Sequence, residues 1–225
     1  MYRALLACLA FILLRLIAMS DDLITTWYLQ YQGATPTLPD WPANCLLMEA
    51  TIPSPELSQF LFCAVGHHWR WFSRLSWNYQ QWLDYLSKDS VRTWVLYQAG
   101  TIAGFVELNY HPVTAHMEQS PGVELKFFGL LPAFTGQGLG PKLAQAAIAL
   151  AQQWLDCKVP TTDKQIPVWL HTCSADHPAA LATYQKAGFA IYQTSQEPAD
   201  IPSDYAEAML CRNFVYSRLS HFTAN

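Results

Sequence analysis

Residues 122–151, GVELKFFGLLPAFTGQGLGPKLAQAAIALA, constrain this chain more than any other stretch. Val123 to Leu131 is dominated by β-branched, aromatic and aliphatic residues, which predicts a strand buried on both faces. Pro132 ends that strand, because proline has no N–H to give to a ladder. Gly136, Gly138 and Gly140 then recur at alternate positions. Pro141 suits a first helical turn, where its fixed φ fits and its missing N–H costs nothing. Leu139, Leu143, Ala147, Leu150 and Trp154 follow at helical spacing and predict a long amphipathic helix to about Cys157, packed back on the sheet.

A glycine-rich turn between strand and helix offers backbone N–H groups at the positive end of a helix dipole. Phosphate or pyrophosphate binds there readily, although the same turn also serves as a tight connection with no ligand. Two nucleotide motifs do not fit. A dinucleotide fingerprint needs its third glycine where Pro141 stands, and a P-loop needs a Gly-Lys-Ser/Thr ending that is absent. What remains is a strand, a proline, a loop of the form [Gln/Arg]-x-x-Gly-x-[Gly/Ala] and a helix. This resembles the acyl-CoA-binding motif of the GNAT superfamily of N-acetyltransferases. Gly138 and Gly140 occupy the two small positions, and Thr135 stands where the family usually has Gln or Arg.

The segment DHPAALATYQKAGF, Asp176 to Phe189, resembles the second GNAT motif, with Tyr184, Lys186, Gly188 and Phe189 in the matching places. His177 stands where the family often has Asn. The resemblance covers roughly residues 23–215, with its specific motifs between Glu124 and Phe189. It implies an α/β fold of three layers, in which helices flank a splayed, mostly antiparallel mixed sheet. Acetyl-CoA would lie between the strands carrying Phe128 to Leu131 and Val168 to Thr172, with the family's usual bulge at Gly129. The backbone at Phe128 and Leu130 would hold pantetheine and thioester, and Gln137, Gly138, Leu139 and Gly140 the pyrophosphate. His177 and Tyr184 would also face the cofactor. The activity implied is transfer of an acetyl group from acetyl-CoA to a primary amine by direct attack on the thioester, without a metal. The alternative is a non-catalytic acyl-CoA-binding or sensing module of the same fold.

That chemistry asks for a base, an oxyanion donor and an acid. A lysine-like ammonium near neutral pH is free amine in only about one molecule in a thousand, so deprotonation costs about 4 kcal/mol without help. A strand N–H at Phe128 would serve the oxyanion. The Tyr184 hydroxyl matches the family's usual acid, although a helix tyrosine at this spacing also packs on a sheet. Glu124 and Glu107 are the candidate bases, since each interrupts an apolar strand where an unpaired carboxylate is expensive. Glu124 lies nearer the expected bulge and comes first, acting directly or through water. His111 and His171 are further candidates, each equally suited to a structural role.

The remainder of the chain sets bounds. At 225 residues it is long enough for one well-buried domain, and a charged share of 13% is about half the usual. A net charge of -4 leaves no basic footprint for nucleic acid. Six scattered cysteines and no Asn-x-Ser/Thr site suit reduced thiols in the cytoplasm. The resemblance implies a small-molecule or peptide amine as the partner of a monomer or homodimer. Residues 1–18 form an apolar extension whose uninterrupted part, Ala4 to Leu14, is too short to span a bilayer. A start at Met19 or a disposable helix is expected ahead of a signal peptide, and no membrane partner is expected. The N-acetyltransferase domain would run 19–217, followed by a tail over 218–225. Expected elements are strands at Leu23–Tyr31, Val91–Gln98, Ile102–Tyr110, Val168–Thr172, Phe189–Gln193 and Ala206–Tyr216. Helices are expected at Pro55–Gly66, Trp77–Lys88 and His177–Lys186, the last capped by Asp176. Loops are expected at Gly33–Pro53 and Thr161–Gln165. Trp69, Trp71 and Trp77 fall on the acceptor side of the resemblance, where aromatic faces can hold a cation or simply pack helices on the sheet.

Overall fold

Alternation along the strands sorts side chains onto two faces, and a helical layer covers each. The computed structural model describes residues 23–66, 69, 71–112, 122–158 and 167–198. Their order is β1 (Leu23–Tyr31), β2 (Cys45–Glu49), α1 (Pro55–Gly66), α2 (Tyr79–Leu86), β3 (Val91–Gln98) and β4 (Thr101–His111). Then come β5 (Gly122–Leu130), α3 (Leu139–Lys158), β6 (Val168–Cys173), α4 (Ala180–Lys186) and β7 (Phe189–Pro198). The seven strands form one sheet in the order β2-β3-β4-β5-β6-β1-β7. Only β5 and β6 run parallel. The mostly antiparallel sheet with helices on both faces is the expected class.

One face packs on α3 and α4. Trp94, Leu96, Val106, Leu108, Val123, Leu125, Val168 and Leu170 meet Leu143, Ala147, Ile148 and Trp154 there. The Ala-rich α3 brings its backbone close to the sheet, and each fully buried Leu or Ile contributes about 1.5–3 kcal/mol. The other face packs on α1 and α2, where Val95, Phe105 and Phe127 meet Leu61, Phe62, Val65 and Trp82. Leu125 and Phe127 are two positions apart yet lie on opposite faces. The β4–β5 register explains this: Glu107 pairs with Phe127 and Leu108 with Leu125, so Lys126 is an extra residue that reverses the alternation. The bulge therefore sits at Lys126, not at the expected Gly129. Gly129 is small for another reason: a Cβ there would run into Val65 of α1.

Local signals set several boundaries. Ser54 accepts from the Leu57 N–H at 3.2 Å to start α1, and Asn78 and Gln81 form a reciprocal capping box on α2. Ala99 and Gly100 both take positive φ, 49° and 81°, as a two-residue hairpin with a type I′ turn requires. Three expectations change. The loop at 33–53 contains β2, an edge strand paired to β3. The helix expected from His177 begins at Ala180, because Asp176 accepts from the adjacent His177 N–H and caps a turn instead. β7 runs to Pro198 rather than Gln193, held along its length by β1. The expected strand 206–216, the loop 161–165 and the N-terminal extension lie outside the described residues. Among the described residues no helix is long and apolar enough to cross a membrane.

Deleting Lys126 should leave Leu125 and Phe127 adjacent and still on opposite faces, with the β4 register kept and cooperative folding retained. Phe127→Asp should instead strand a charge between the sheet and the α1–α2 layer. We expect it to cost several kcal/mol, read as a melting temperature lowered by more than about 10 °C or no cooperative transition at all. A Phe127→Asp melt like wild type would show that Phe127 does not face α1 and α2.

Candidate active site

The β5–β6 pair holds only at Val123 with Val168 and Glu124 with Trp169. Beyond that point β5 runs on to Leu130 with β4 along its other edge, and β6 runs to Cys173 with β1 along its other edge. Among the described residues their facing edges have no strand partner there, and two clefts open between them. The first, about 280 Å³, lies beside Phe128, Gly129 and Leu130 and reaches the glycine loop and the start of α4. The second, about 250 Å³, lies deeper along β5 and β6, beside Lys126, Phe127, His171 and Thr172. Trp71, Phe128, Asp176 and Tyr184 line both, so the two clefts meet at Tyr184.

The glycine loop is built to leave its backbone bare. Thr135 donates its hydroxyl to the Pro132 carbonyl at 2.8 Å, and the Gln137 side chain folds back to the Ala133 carbonyl at 2.9 Å. Gly136 and Gly138 take φ of 74° and 75°, a region costly for residues with a Cβ. Nothing lies within 4 Å of where a Cβ would stand on either one. Gly140 lines the same cleft, whereas Leu139 turns into the core. Of the residues expected at the pyrophosphate, Gly138 and Gly140 are at the cleft. The Leu139 side chain is in the core, and the Gln137 side chain is tied to the turn.

Tyr184 is 6% exposed, with the rings of Phe128 at 5.7 Å and Phe189 at 6.2 Å in edge contacts. Burial, and then the negative charge of Asp176, raise its pKa well above the ordinary tyrosine value, so the ring keeps its proton. Asp176 accepts from the Thr172 hydroxyl at 2.8 Å and from the His177 N–H at 2.7 Å. His177 lines the first cleft, its ring 4.9 Å from that of Trp69 and its Nδ1 accepting from the Ala179 N–H at 3.0 Å. Trp71 walls both clefts, while Trp77 packs on Trp82 and Tyr85 in the α2 layer.

The two carboxylates expected as bases line neither cleft. Glu107 is 2% exposed and takes a two-pronged pair from Arg74 at 2.8 and 3.0 Å and a hydroxyl from Tyr85 at 2.8 Å. Arg74 is itself sandwiched by the rings of Tyr85 at 3.9 Å and Phe127 at 4.5 Å. Glu107 therefore serves to hold the α2 layer on β4. Glu124 is 1% exposed and meets His111 Nε2 at 3.0 Å, Lys126 Nζ at 3.2 Å and His171 Nδ1 at 3.2 Å. Burial would raise its pKa, but the hydrogen bonds from His111 and His171 and the charge of Lys126 outweigh it and hold the carboxyl well below its ordinary value. With both oxygens engaged, it has no access of its own to a ligand. His171, by contrast, is 40% exposed and lines the second cleft. The sequence names it as a further candidate but gives no reason to prefer it over a structural role. Among the described residues no cluster of His, Cys, Asp or Glu is arranged to hold a metal ion.

Residues 56–189 match the profile of the Acetyltransferase (GNAT) family. That span is more than half the chain, and the chain belongs to the GNAT acetyltransferase family. A GCN5-related N-acetyltransferase from Sphaerobacter thermophilus has a similar fold, at a TM-score of 0.53 and 15% identity over 84% of this chain and 57% of that one. A GCN5-related N-acetyltransferase from Kribbella flavida gives a TM-score of 0.48 at 16% identity, covering 81% of this chain and 60% of the other. An aminoglycoside N-acetyltransferase in complex with CoA gives 0.39 at 20% identity, covering 69% and 95%. The chain thus spans less than two thirds of the length of the first two. No curated protein sequence matches it.

Because the folded pKa of Glu124 is depressed, its stabilisation is present above the ordinary glutamate value of 4.5 and is lost as pH falls below it. Melting temperature should fall by about 5 °C or more between pH 6 and pH 3. The curve for Glu124→Gln should be flatter over that window. Parallel curves would remove the Glu124 cluster as a source of acid sensitivity.

Proposed function

We propose that this chain is an acetyl-CoA-dependent N-acetyltransferase acting on a primary amine in the cytoplasm. The observation that carries the reading is the opening between β5 and β6, which begins at the glycine loop and narrows onto Tyr184. The residues present fit the cofactor. Four glycines line the first cleft, three of them in the loop, and two of those, Gly136 and Gly138, have open space where a side chain would stand. The free edge of β5 at Phe128 to Leu130 offers N–H and C=O groups to an extended amide-bearing arm, and the loop before α3 offers its N–H groups to a pyrophosphate.

When bound, acetyl-CoA supplies the activated acyl group. Phe128 supplies a strand N–H where negative charge develops on the carbonyl oxygen. Tyr184, kept protonated by burial, gives its proton to the leaving sulfur. His177 closes the first cleft near the start of α4. The tightly paired Glu107 is assigned no chemical role.

Gly138→Asp places a carboxylate and a Cβ at a positive φ in the loop. Acetyl-CoA affinity should drop at least about tenfold by calorimetry with the melt retained, whereas Thr135→Ala should bind like wild type. Equal affinities for all three proteins would remove the cofactor from this loop.

Tyr184→Phe deletes one hydroxyl and almost no packing. With an amine that wild type acetylates, kcat should fall about a hundredfold while acetyl-CoA affinity barely moves. Wild-type turnover by this variant would end the assignment of Tyr184 as acid.

A further inference from the structure

Two histidines reach the same buried carboxylate by different ring nitrogens. His111 presents Nε2 to Glu124 at 3.0 Å and is mostly buried, while His171 presents Nδ1 at 3.2 Å and is exposed at the second cleft. A neutral imidazole that donates from Nδ1 leaves Nε2 as its lone-pair nitrogen. We infer that His171 is the base that takes the acceptor amine's proton, that Glu124 positions it by fixing its tautomer, and that the second cleft admits the acceptor. This rests on the reading of the chain as an acetyltransferase.

The surroundings of His171 suit that role. Glu124 and Lys126 face it from β5, with His111 of β4 behind the carboxylate. On β1 the ring of Tyr28 lies at 6.0 Å. Asp176 and Tyr184 share the second cleft with it. Glu124 thus sits behind the imidazole, and the acid lies at the junction with the first cleft. An acceptor lodged in this cleft meets both His171 and Tyr184 on its walls.

The protons balance. The neutral amine forms its C–N bond to the thioester carbonyl carbon and gives one proton to His171 Nε2. The C–S bond breaks, and the sulfur takes one proton from the Tyr184 hydroxyl. The products are an acetamide and free CoA thiol. The imidazolium and phenolate return to their starting forms by exchange with water. Glu124 neither gains nor loses a proton, and its negative charge stabilises the imidazolium.

The first test needs no substrate. Long-range nitrogen–proton spectra of the imidazoles, at a pH where the rings are neutral, report each tautomer. In wild type His171 should carry its proton on Nδ1 and His111 on Nε2. Glu124→Gln should return His171 toward the Nε2–H form. An Nε2–H tautomer for His171 in the folded wild-type protein overturns the proposal.

The second test uses His171→Gln, an exposed position where folding is preserved, with tyramine, spermidine, neamine and a lysine peptide as acceptors. For any that wild type acetylates, kcat/KM should fall about a hundredfold near neutral pH. The variant's rate should then keep climbing with pH as more amine is free. A profile parallel to wild type overturns His171 as the base. Acetyl-CoA affinity, measured on the same samples, should be unchanged by His171→Gln. Failure of wild type itself to bind acetyl-CoA would instead remove the acetyltransferase reading, and the tautomer would still decide whether Glu124 orients His171.

Discussion

β5 and β6 share two residue pairs and then part, and the rest of the molecule is arranged to keep them apart without collapse. Two bare strand edges facing each other would ordinarily pair or aggregate. Here each strand is committed along its other edge, β5 to β4 and β6 to β1, so neither can rotate to meet the other. Val65 of α1 packs directly against the backbone at Gly129, and the Phe128 and Tyr184 rings meet across the junction of the two clefts. Among the described residues these edges lack a strand partner, an arrangement that favours a ligand with amides of its own.

The contrast between the two buried glutamates shows how partners, not residue type, settle what a carboxylate does. Glu107 faces a guanidinium that never gives up its proton, held in a fixed fork and walled by aromatic rings. Such a pair is a permanent strut, and removing either half would strand a charge in the core. Glu124 faces two imidazoles, the side chains whose ordinary titration falls nearest neutrality. Its carboxylate is held ionised by those partners and by Lys126.

Most of the architecture was legible because periodicity and turn chemistry are local. The bounds of β1, α1 and β3 follow from alternation, a serine cap and a glycine turn, and the two motifs give the glycine loop and Tyr184. β2 was hidden because five residues between prolines carry too short an alternation to stand out from a loop. The bulge at Lys126 was illegible for a different reason. An inserted residue shows only in the register against β4, and it changes which face Phe127 and everything after it occupies. The roles of Glu107 and Glu124 depend on partners on other elements, Arg74 and Tyr85 for the one, His111 and His171 for the other. No spacing within a single strand encodes them.

β1 precedes the other described strands in the chain yet lies between β6 and β7, with the Thr25 N–H bonded to the Ser174 hydroxyl across a separation of 149 residues. Its sequence, LITTWYLQY, is that of a strand with hydrophobic side chains whose edges pair with β6 and β7. On the ribosome the neighbouring strands β2 to β5 can zip locally as each emerges, while β1 waits for a partner not yet synthesised. The wall of the cleft formed by β6 cannot become rigid before that late insertion. For a cell making this protein, the cleft therefore matures late, and the newborn chain carries an orphan strand in need of shielding until β6 and β7 arrive.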